Sequence, residues 1–424
     1  MLTHPLKSSL NPENSIRRLM VFSNGVGGHH PVYLRHLIDY WCKEKLVGEL
    51  NFVVSPLMLE QHRDMICPPE ASDHNIRYYA IDAGEHTAIV QQKSLLLKAW
   101  MEWKIINRYI KQLNADHCFL TAIDPFQALL AIGLNPSCSM SGIYLRPSFH
   151  YQNFEGYVSS WKERIKSIRQ KQILSRVLQH SKVSHIFCLD PYAVEASQSN
   201  ANSSKMQVLP DPIPKFVQDH SEQIDDLRRE TLKIEQERCV FLLFGAIDRR
   251  KGIHQILEAI QQLPPEAARK LCLLVVGKVA PAERTFVETE ICKIQAQQVQ
   301  VVIDDQYVSE LKVRQYFELS DVVLATYQKH VGMSGILLIA AALKKPALCT
   351  NYGLMGELTR QYELGITVDA SCSNAIAQSM MRFLSSYPAP VIHLTKSQAL
   401  VQQHQTEKFA AKIFSEIGVR EPTR

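Results

Sequence analysis

The sequence predicts an α/β chain built on two mostly parallel sheets, and three observations carry that prediction. Short apolar runs alternate with amphipathic stretches along most of the 424 residues, the trace that parallel strands and crossover helices leave in a sequence. A proline cluster, Leu209-Pro210-Asp211-Pro212-Ile213-Pro214, interrupts the alternation near the middle. Proline fixes φ and lacks an N–H, so this stretch is neither helix nor central strand. The alternation restarts beyond a polar stretch, Asp219 to Arg238. At 46% hydrophobic residues the chain has enough apolar side chains for two full α/β cores.

The first half opens with a buried-strand pattern, Leu19 to Ser23, that ends in Asn24-Gly25-Val26-Gly27-Gly28-His29-His30. Pro31 suits the first turn of a helix, where its missing N–H has no partner in any case. Leu34, Leu37, Ile38 and Trp41 then fall on one helical face. Further strands are expected at Leu50 to Val54, Cys118 to Thr121, Gly142 to Leu145 and His185 to Leu189. In the second half they are expected at Val240 to Phe244, Leu273 to Val276, Val301 to Ile303, Val322 to Ala325 and Ala347 to Thr350. Helices are expected around Ile253 to Ile260, over Ser309 to Leu319 and Gly335 to Leu343, and along the tail from Ser397 to Ile417.

The net charge of +5 is too small to point to nucleic acid. The cysteines are scattered with no CxxC pair, which argues against a zinc ribbon or a thioredoxin-type site and reads as a reduced, cytosolic chain. No apolar run approaches the roughly 20 residues of a membrane span, and Met1 to Asn14 carries no signal-peptide core. The expectation is a cytoplasmic chain, soluble or held peripherally on the inner face of a membrane.

Several loops carry candidate chemistry. Gly25, Gly27 and Gly28 lie between a strand and a helix, where bare backbone approaches a phosphate or sugar closely. A tight βα turn is the plain alternative, and GxGxxG is not met because His30 holds its last position. His29 and His30 follow as candidate proton-transfer or ligand groups, or as hydrogen-bonded structure. Asp248-Arg249-Arg250-Lys251-Gly252 places three cations at a strand's end before a helix, which suits a diphosphate; a solvated loop is the alternative. His330-Val331-Gly332-Met333-Ser334-Gly335 leads into the apolar helix, with small residues that leave its N–H groups open to an anion. Glu357 is a candidate ribose contact, or simply a carboxylate favoured by a helix start. Asp124 is a catalytic candidate or a helix cap, and Arg146 a candidate acceptor or phosphate contact. The basic stretches Leu95 to Leu113 and Trp161 to Leu178 read equally as solvated helices or as faces for an anionic membrane.

These residues resemble the group-1, or family-four, retaining glycosyltransferases. Phe244-Gly245-Ala246-Ile247-Asp248-Arg249-Arg250-Lys251-Gly252-Ile253 is similar to the family's Gly-Arg-Leu…Lys-Gly segment. Asp321 to Leu324 is similar to its ADVFVLPS strand, and Gly332 to Pro346 to its donor loop, helix and GKP turn. Asn351-Tyr352-Gly353 to Glu357 is similar to NVGGIPE, Gly27-Gly28 to the N-terminal glycine loop, and Leu209 to Ile213 to LPNGVD. The family's two glutamates fall on Val331 and Ile339, and its arginine on Ala246, with Arg249 or Arg250 as the substitute.

The resemblance implies the GT-B fold, two Rossmann-like domains with parallel sheets facing across a cleft. The boundaries are then 1–210 for acceptor binding, 211–395 for the nucleotide-sugar, and 396–424 for a helix crossing back to the first domain. It implies hexosyl transfer from a nucleoside diphosphate sugar to a glycan or lipid-linked acceptor, with no cofactor and no metal. Lys251 would meet the diphosphate, and the N–H groups of Met333, Ser334 and Gly335 would cradle it. His330 or Ser334 would stand in for the missing carboxylate. Two other readings share the fold: a nucleotide-sugar epimerase, and an inactive glycosyltransferase-like binding scaffold.

Overall fold

A computed structural model describes residues 17–69, 71, 74–154, 157, 159–214, 231–387 and 394–419. Met1 to Asn14, and Asp219 to Arg238 up to residue 230, lie outside them. The described residues form two compact units, one drawn from Met1–His150, Ser160–Pro210 and Glu407–Arg424, the other from Tyr151–Ser159 and Asp211–Thr406.

The first unit holds a parallel seven-stranded sheet in the order β3-β2-β1-β4-β5-β6-β7. Its strands are β1 (Arg18–Ser23), β2 (Glu49–Val54), β3 (Ile76–Ala80), β4 (His117–Leu120), β5 (Ser139–Tyr144), β6 (Val183–Cys188) and β7 (Met206–Val208). Leu19, Met20 and Val21 are fully buried on consecutive positions, as expected of a central strand covered on both faces. The helix His30–Lys43 buries Leu34, Leu37, Ile38 and Trp41. The terminal helix Thr406–Ile417 packs on it: Phe409 lies 4.7 Å from Tyr33, and Phe414 5.5 Å from Trp41. Helices Leu95–Gln112, Gln127–Ala131 and Trp161–Gln179 share one core, in which Trp103, Ile106, Leu130, Leu174 and Val177 meet Met20 and Phe22.

The second unit holds a parallel six-stranded sheet in the order β10-β9-β8-β11-β12-β13. These are β8 (Cys239–Phe244), β9 (Leu271–Val276), β10 (Gln300–Asp304), β11 (Val322–Ala325), β12 (Ala347–Thr350) and β13 (Gly365–Val368). The core is made by β8 and β9 with the helix Ile253–Gln261, which buries Ile253, Ile256, Leu257 and Ile260.

Both sheets reverse direction once. The chain winds outward from β1 to β2 and β3, then returns to lay β4 on the other side of β1. It repeats this from β8 to β9 and β10, with β11 returning beside β8. At such a reversal the two connections leave the strand ends in opposite directions, which opens a crevice at the carboxyl edge. The glycine loop follows β1 and the cationic loop follows β8, so both stand at a reversal.

Three strands escape the sequence pattern: β3, β7 and β13. All lie at or next to a sheet edge, where part of the strand faces solvent and no apolar run is required. The tail also differs from the single helix expected over Ser397 to Ile417. It is broken into Leu394–Gln403 and Thr406–Ile417. The Ile213 N–H donates to the His404 carbonyl at 3.0 Å and the Thr406 hydroxyl to the Ile213 carbonyl at 2.6 Å. Backbone and side-chain groups at the break thus bind the proline segment instead of continuing a helix.

Phe409 is fully buried, so Phe409→Ala removes an aromatic ring from the joint between the terminal helix and His30–Lys43. It is expected to destabilise the first unit by about 3–5 kcal/mol. Denaturant unfolding, followed by a probe in that unit, should show the midpoint lowered by the corresponding amount.

Candidate functional site

At the reversal of the first sheet, the β1 loop turns into the helix His30–Lys43. His30 Nδ1 lies 3.0 Å from Ser23 Oγ at the end of β1 and 3.3 Å from Thr121 Oγ1 just past β4. The two hydroxyls hydrogen-bond to each other at 3.0 Å. The imidazole therefore ties together the two strands that flank the reversal. A Cβ on Gly25 would come within 2.4 Å of the His30 ring, which explains why that position takes glycine. Gly27 and Gly28 face open space, with Gly28 in the left-handed region at φ +66°.

His29 stacks on His30 with centroids 4.9 Å apart. Its Nε2 is buried with no hydrogen-bond partner among the described residues, a position that a ligand hydroxyl would satisfy. Burial, then His30 and Arg146, bring His29 down to about 4; burial and Arg146 bring His30 to the same value. Both are neutral near pH 7 and present hydrogen-bonding nitrogens rather than charge.

Asp124 and Arg146 belong to the same edge. The Asp124 carboxylate accepts the N–H groups of Leu145 and Arg146, each at 2.9 Å. Burial raises its pKa to about 6 against the pull of these bonds. With both oxygens engaged by the loop after β5, Asp124 positions Arg146 rather than standing ready as a general base, which revises the catalytic expectation for it. Arg146 is exposed.

At the reversal of the second sheet, the loops after β8 and β11 touch through backbone. A Cβ on Gly252 would lie 2.3 Å from the Thr326 carbonyl, and Gly252 has φ +78°. The Gln328 N–H donates to the Arg250 carbonyl at 2.8 Å. Asp248 caps the short turn Arg249–Lys251 by accepting the Lys251 N–H at 3.2 Å. Arg249 turns away to Glu283 at 3.2 Å, where Glu283 also binds His254. Arg250 is exposed, with its guanidinium 5.3 Å from the centre of the Tyr327 ring.

Lys251 is not the free cation that the charge run suggests. It is 3% exposed, and its ammonium donates to the Phe244 carbonyl at 2.8 Å and to the Tyr327 hydroxyl. Burial, with Arg250 nearby, pushes its pKa well below the ordinary lysine value. Tyr327, which the sequence pattern does not single out, is the hub. Its hydroxyl also bonds Ser334 Oγ at 3.1 Å, and its ring lies 5.0 Å from that of His330. Burial raises Tyr327 to about 12.

The loop from His330 to Gly335 closes the crevice. Gly332, at φ +101°, donates its N–H to the Tyr151 hydroxyl at 3.0 Å, so this donor serves the protein. His330 Nε2 lies 3.3 Å from the Met333 carbonyl. Ser334 spends its hydroxyl on Tyr327 and leaves the helix Gly335–Ala342 without a side-chain cap. The N–H groups of Met333, Ser334 and Gly335 are the donors that remain. Glu357 sits one turn inside Gly353–Gln361 and pairs with Arg360 at 2.7 Å, not at the helix start. Ile339 is buried. Tyr151 packs on the turn before that helix, where a Cβ on Gly353 would come within 2.5 Å of its ring.

The reversal of the first sheet thus carries neutral imidazoles, and that of the second an arginine and an uncapped helix start. Residues 224–413 match the family model described as glycosyl transferases group 1. Sucrose-phosphate synthase from Thermosynechococcus elongatus is similar with a TM-score of 0.68 at 17% identity, over 94% of this chain and 98% of that one. WaaG, a glycosyltransferase involved in lipopolysaccharide biosynthesis, gives 0.64 at 13%, over 94% and 99%. Anabaena HepE in complex with UDP-glucose gives 0.61 at 13%, over 94% and 99%. These likenesses define the fold as GT-B. No curated protein sequence matches the chain.

Because the folded pKa of each histidine lies below its ordinary 6.5, the neutral forms stabilise the first unit above pH 6.5. That contribution is lost as the pH falls from 6.5 towards 4, by up to about 1.4 kcal/mol per pH unit for each ring. Asp124, raised to about 6, acts with the opposite sign, so the difference between wild type and variant isolates the rings. Unfolding free energies measured from pH 7 to pH 4 should fall more gently in His30→Asn than in the wild type.

Proposed function

We propose that the chain transfers a sugar from a nucleoside diphosphate sugar to a glycan or lipid-linked acceptor, with retention. The second unit takes the donor and the first the acceptor. The observation that carries this reading is the uncapped start of Gly335–Ala342, whose Ser334 binds the same Tyr327 that the exposed Arg250 lies over. A diphosphate leaving group gathers negative charge as the glycosidic bond breaks, and aimed N–H groups with a fixed cation stabilise that charge without reorganising.

In this reading the N–H groups of Met333, Ser334 and Gly335 receive the phosphate oxygens. Arg250 supplies the exposed guanidinium, which lies over Tyr327 and near Asp248. Lys251 acts from behind: it braces the Phe244 carbonyl and Tyr327, and so sets the distance between the cationic loop and the donor loop. His330 is the better substitute for the carboxylate missing at Val331, because the Ser334 hydroxyl is already committed to Tyr327. Glu357 is the candidate for a ribose hydroxyl. In the first unit the unsatisfied His29 Nε2 and exposed Arg146 are the groups for an acceptor hydroxyl and an acceptor anion. UDP-glucose in the Anabaena relative supports a uridine nucleotide donor.

The resemblance favours a second reading, a scaffold that binds nucleotide without turnover: by it the family's two glutamates fall on Val331 and Ile339, and Ile339 is buried. Incubation with a panel of nucleotide-sugars separates the readings, since release of nucleoside diphosphate marks the transferase and saturable binding without release marks the scaffold.

The donor loop has a clean probe. A Cβ on Gly335 meets nothing within 4 Å, and an acid in a helix's first turn suits the dipole. Gly335→Asp should therefore melt at or above the wild-type temperature yet bind UDP at least about tenfold more weakly, because the new carboxylate occupies the phosphate position. Arg250→Ala should weaken UDP by about 1.5–3 kcal/mol. Calorimetry that finds wild-type affinity in Gly335→Asp would place the donor elsewhere.

A further inference from the structure

Two helices of the first unit are longer than the sheet they cover. Leu95–Gln112 and Trp161–Gln179 have 18 and 19 residues, about 27–29 Å each. The neighbouring strands β4 and β5 have only 4 and 6, about 14–20 Å. Hydrogen bonds fix where the excess falls. Glu102 accepts from Asn24, in the loop after β1, at 2.7 Å. The Ser167 hydroxyl donates to the Phe149 carbonyl, in the loop after β5, at 2.7 Å. Residues 102 and 167 thus stand at the level of the strand carboxyl ends. The turns before them extend past the sheet on the edge that carries His29 and Arg146.

These overhanging turns are apolar where nothing covers them. Leu95 is 84% exposed, and Leu96, Leu97 and Trp100 are exposed beside it. Trp161, 67% exposed, continues through Ile165 and Ile168 at i, i+4 and i+7, one stripe of the helix. The cations follow the same edges. Lys162, Lys166 and Arg169 run beside the Trp161 stripe, with Lys162 5.5 Å from the Trp161 ring centre. Lys104 lies 5.7 Å from that of Trp100. Trp161–Gln179 carries six cations and one acid, and that acid, Glu163, is held in the capping box with Ser160. A large apolar stripe flanked by one sign of charge matches a surface that is apolar within and anionic at its boundary.

We propose that this edge of the first unit docks on an anionic lipid bilayer, with Trp161, Ile165, Ile168, Leu95, Leu96 and Trp100 entering the interface and the lysines meeting the headgroups. Docking there would bring the edge bearing His29 and Arg146 to the membrane surface, which deepens the acceptor half of the proposed function towards a lipid-linked molecule. Lipid binding itself needs no nucleotide, so its test does not depend on that reading.

The experiment is co-sedimentation of the full chain, without nucleotide, with vesicles of phosphatidylglycerol and phosphatidylcholine, and with phosphatidylcholine alone. Binding is expected to the anionic vesicles only, and to weaken with salt. Each surface cation is worth about fivefold in partitioning, so Lys162→Gln with Lys166→Gln should reduce it about 25-fold. Trp161→Ser with Ile165→Ser should abolish it, and brominated lipid should quench Trp161 in the wild type. All four positions are exposed, so unchanged thermal melting and unchanged UDP affinity are expected of the variants. The proposal is overturned if the wild type stays in the supernatant at low salt, or if the variants pellet as it does. It is equally overturned if vesicles are ignored while sedimentation reveals a dimer that Trp161→Ser with Ile165→Ser dissolves, since the face would then cover a second copy.

Discussion

The second unit depends on the contact between the loops that follow β8 and β11. They meet through backbone, at Gly252 against the Thr326 carbonyl and at the Gln328 N–H on the Arg250 carbonyl. Only a residue without a Cβ permits the first of these. Once the loops are in contact, Lys251 has little solvent to turn to and must spend its donors on Phe244 and Tyr327. Tyr327 then holds Ser334, and Ser334, so held, cannot cap its own helix. The open helix start is therefore the far end of a chain of constraints that begins with a glycine.

The first unit solves the same topological problem with different chemistry. Its reversal is bridged by one imidazole placed between hydroxyls on β1 and β4, and the enclosed rings are neutral rather than cationic. The same architecture thus yields a neutral, imidazole-lined edge in one unit and an edge with an exposed guanidinium and an uncapped helix start in the other.

The central strands were legible because a strand buried on both faces leaves an unbroken apolar run; Val240 to Phe244 and Leu273 to Val276 could hardly be read otherwise. Strands β3, β7 and β13 were not, since an edge strand needs no such run. At the sites, loop positions were legible and side-chain disposition was not. The cations after β8 locate the crevice, but nothing in Arg249-Arg250-Lys251 says which one turns inward, because that is decided by Gly245, Gly252 and Tyr327 from other segments. Asp124 likewise announced itself by its place after β4, while its engagement with the backbone of Leu145 and Arg146 depends on pairing between β4 and β5. Tyr151 and Tyr327 carried no signal: a lone tyrosine reads as packing until its hydroxyl's partner is known.

The route of the chain also bears on synthesis. The helix that buries Phe409 and Phe414 against Tyr33 and Trp41 belongs to the first unit but is encoded after the whole of the second. A ribosome delivers the β1 to β7 sheet early, with one face of His30–Lys43 still bare, and must translate nearly two hundred further residues before the covering helix emerges. During that interval Tyr33 and Trp41 lack the aromatic partners that cover them in the folded chain. Truncation from the C-terminal side would leave that surface permanently uncovered, even though the residues removed lie far along the chain from the sheet they protect.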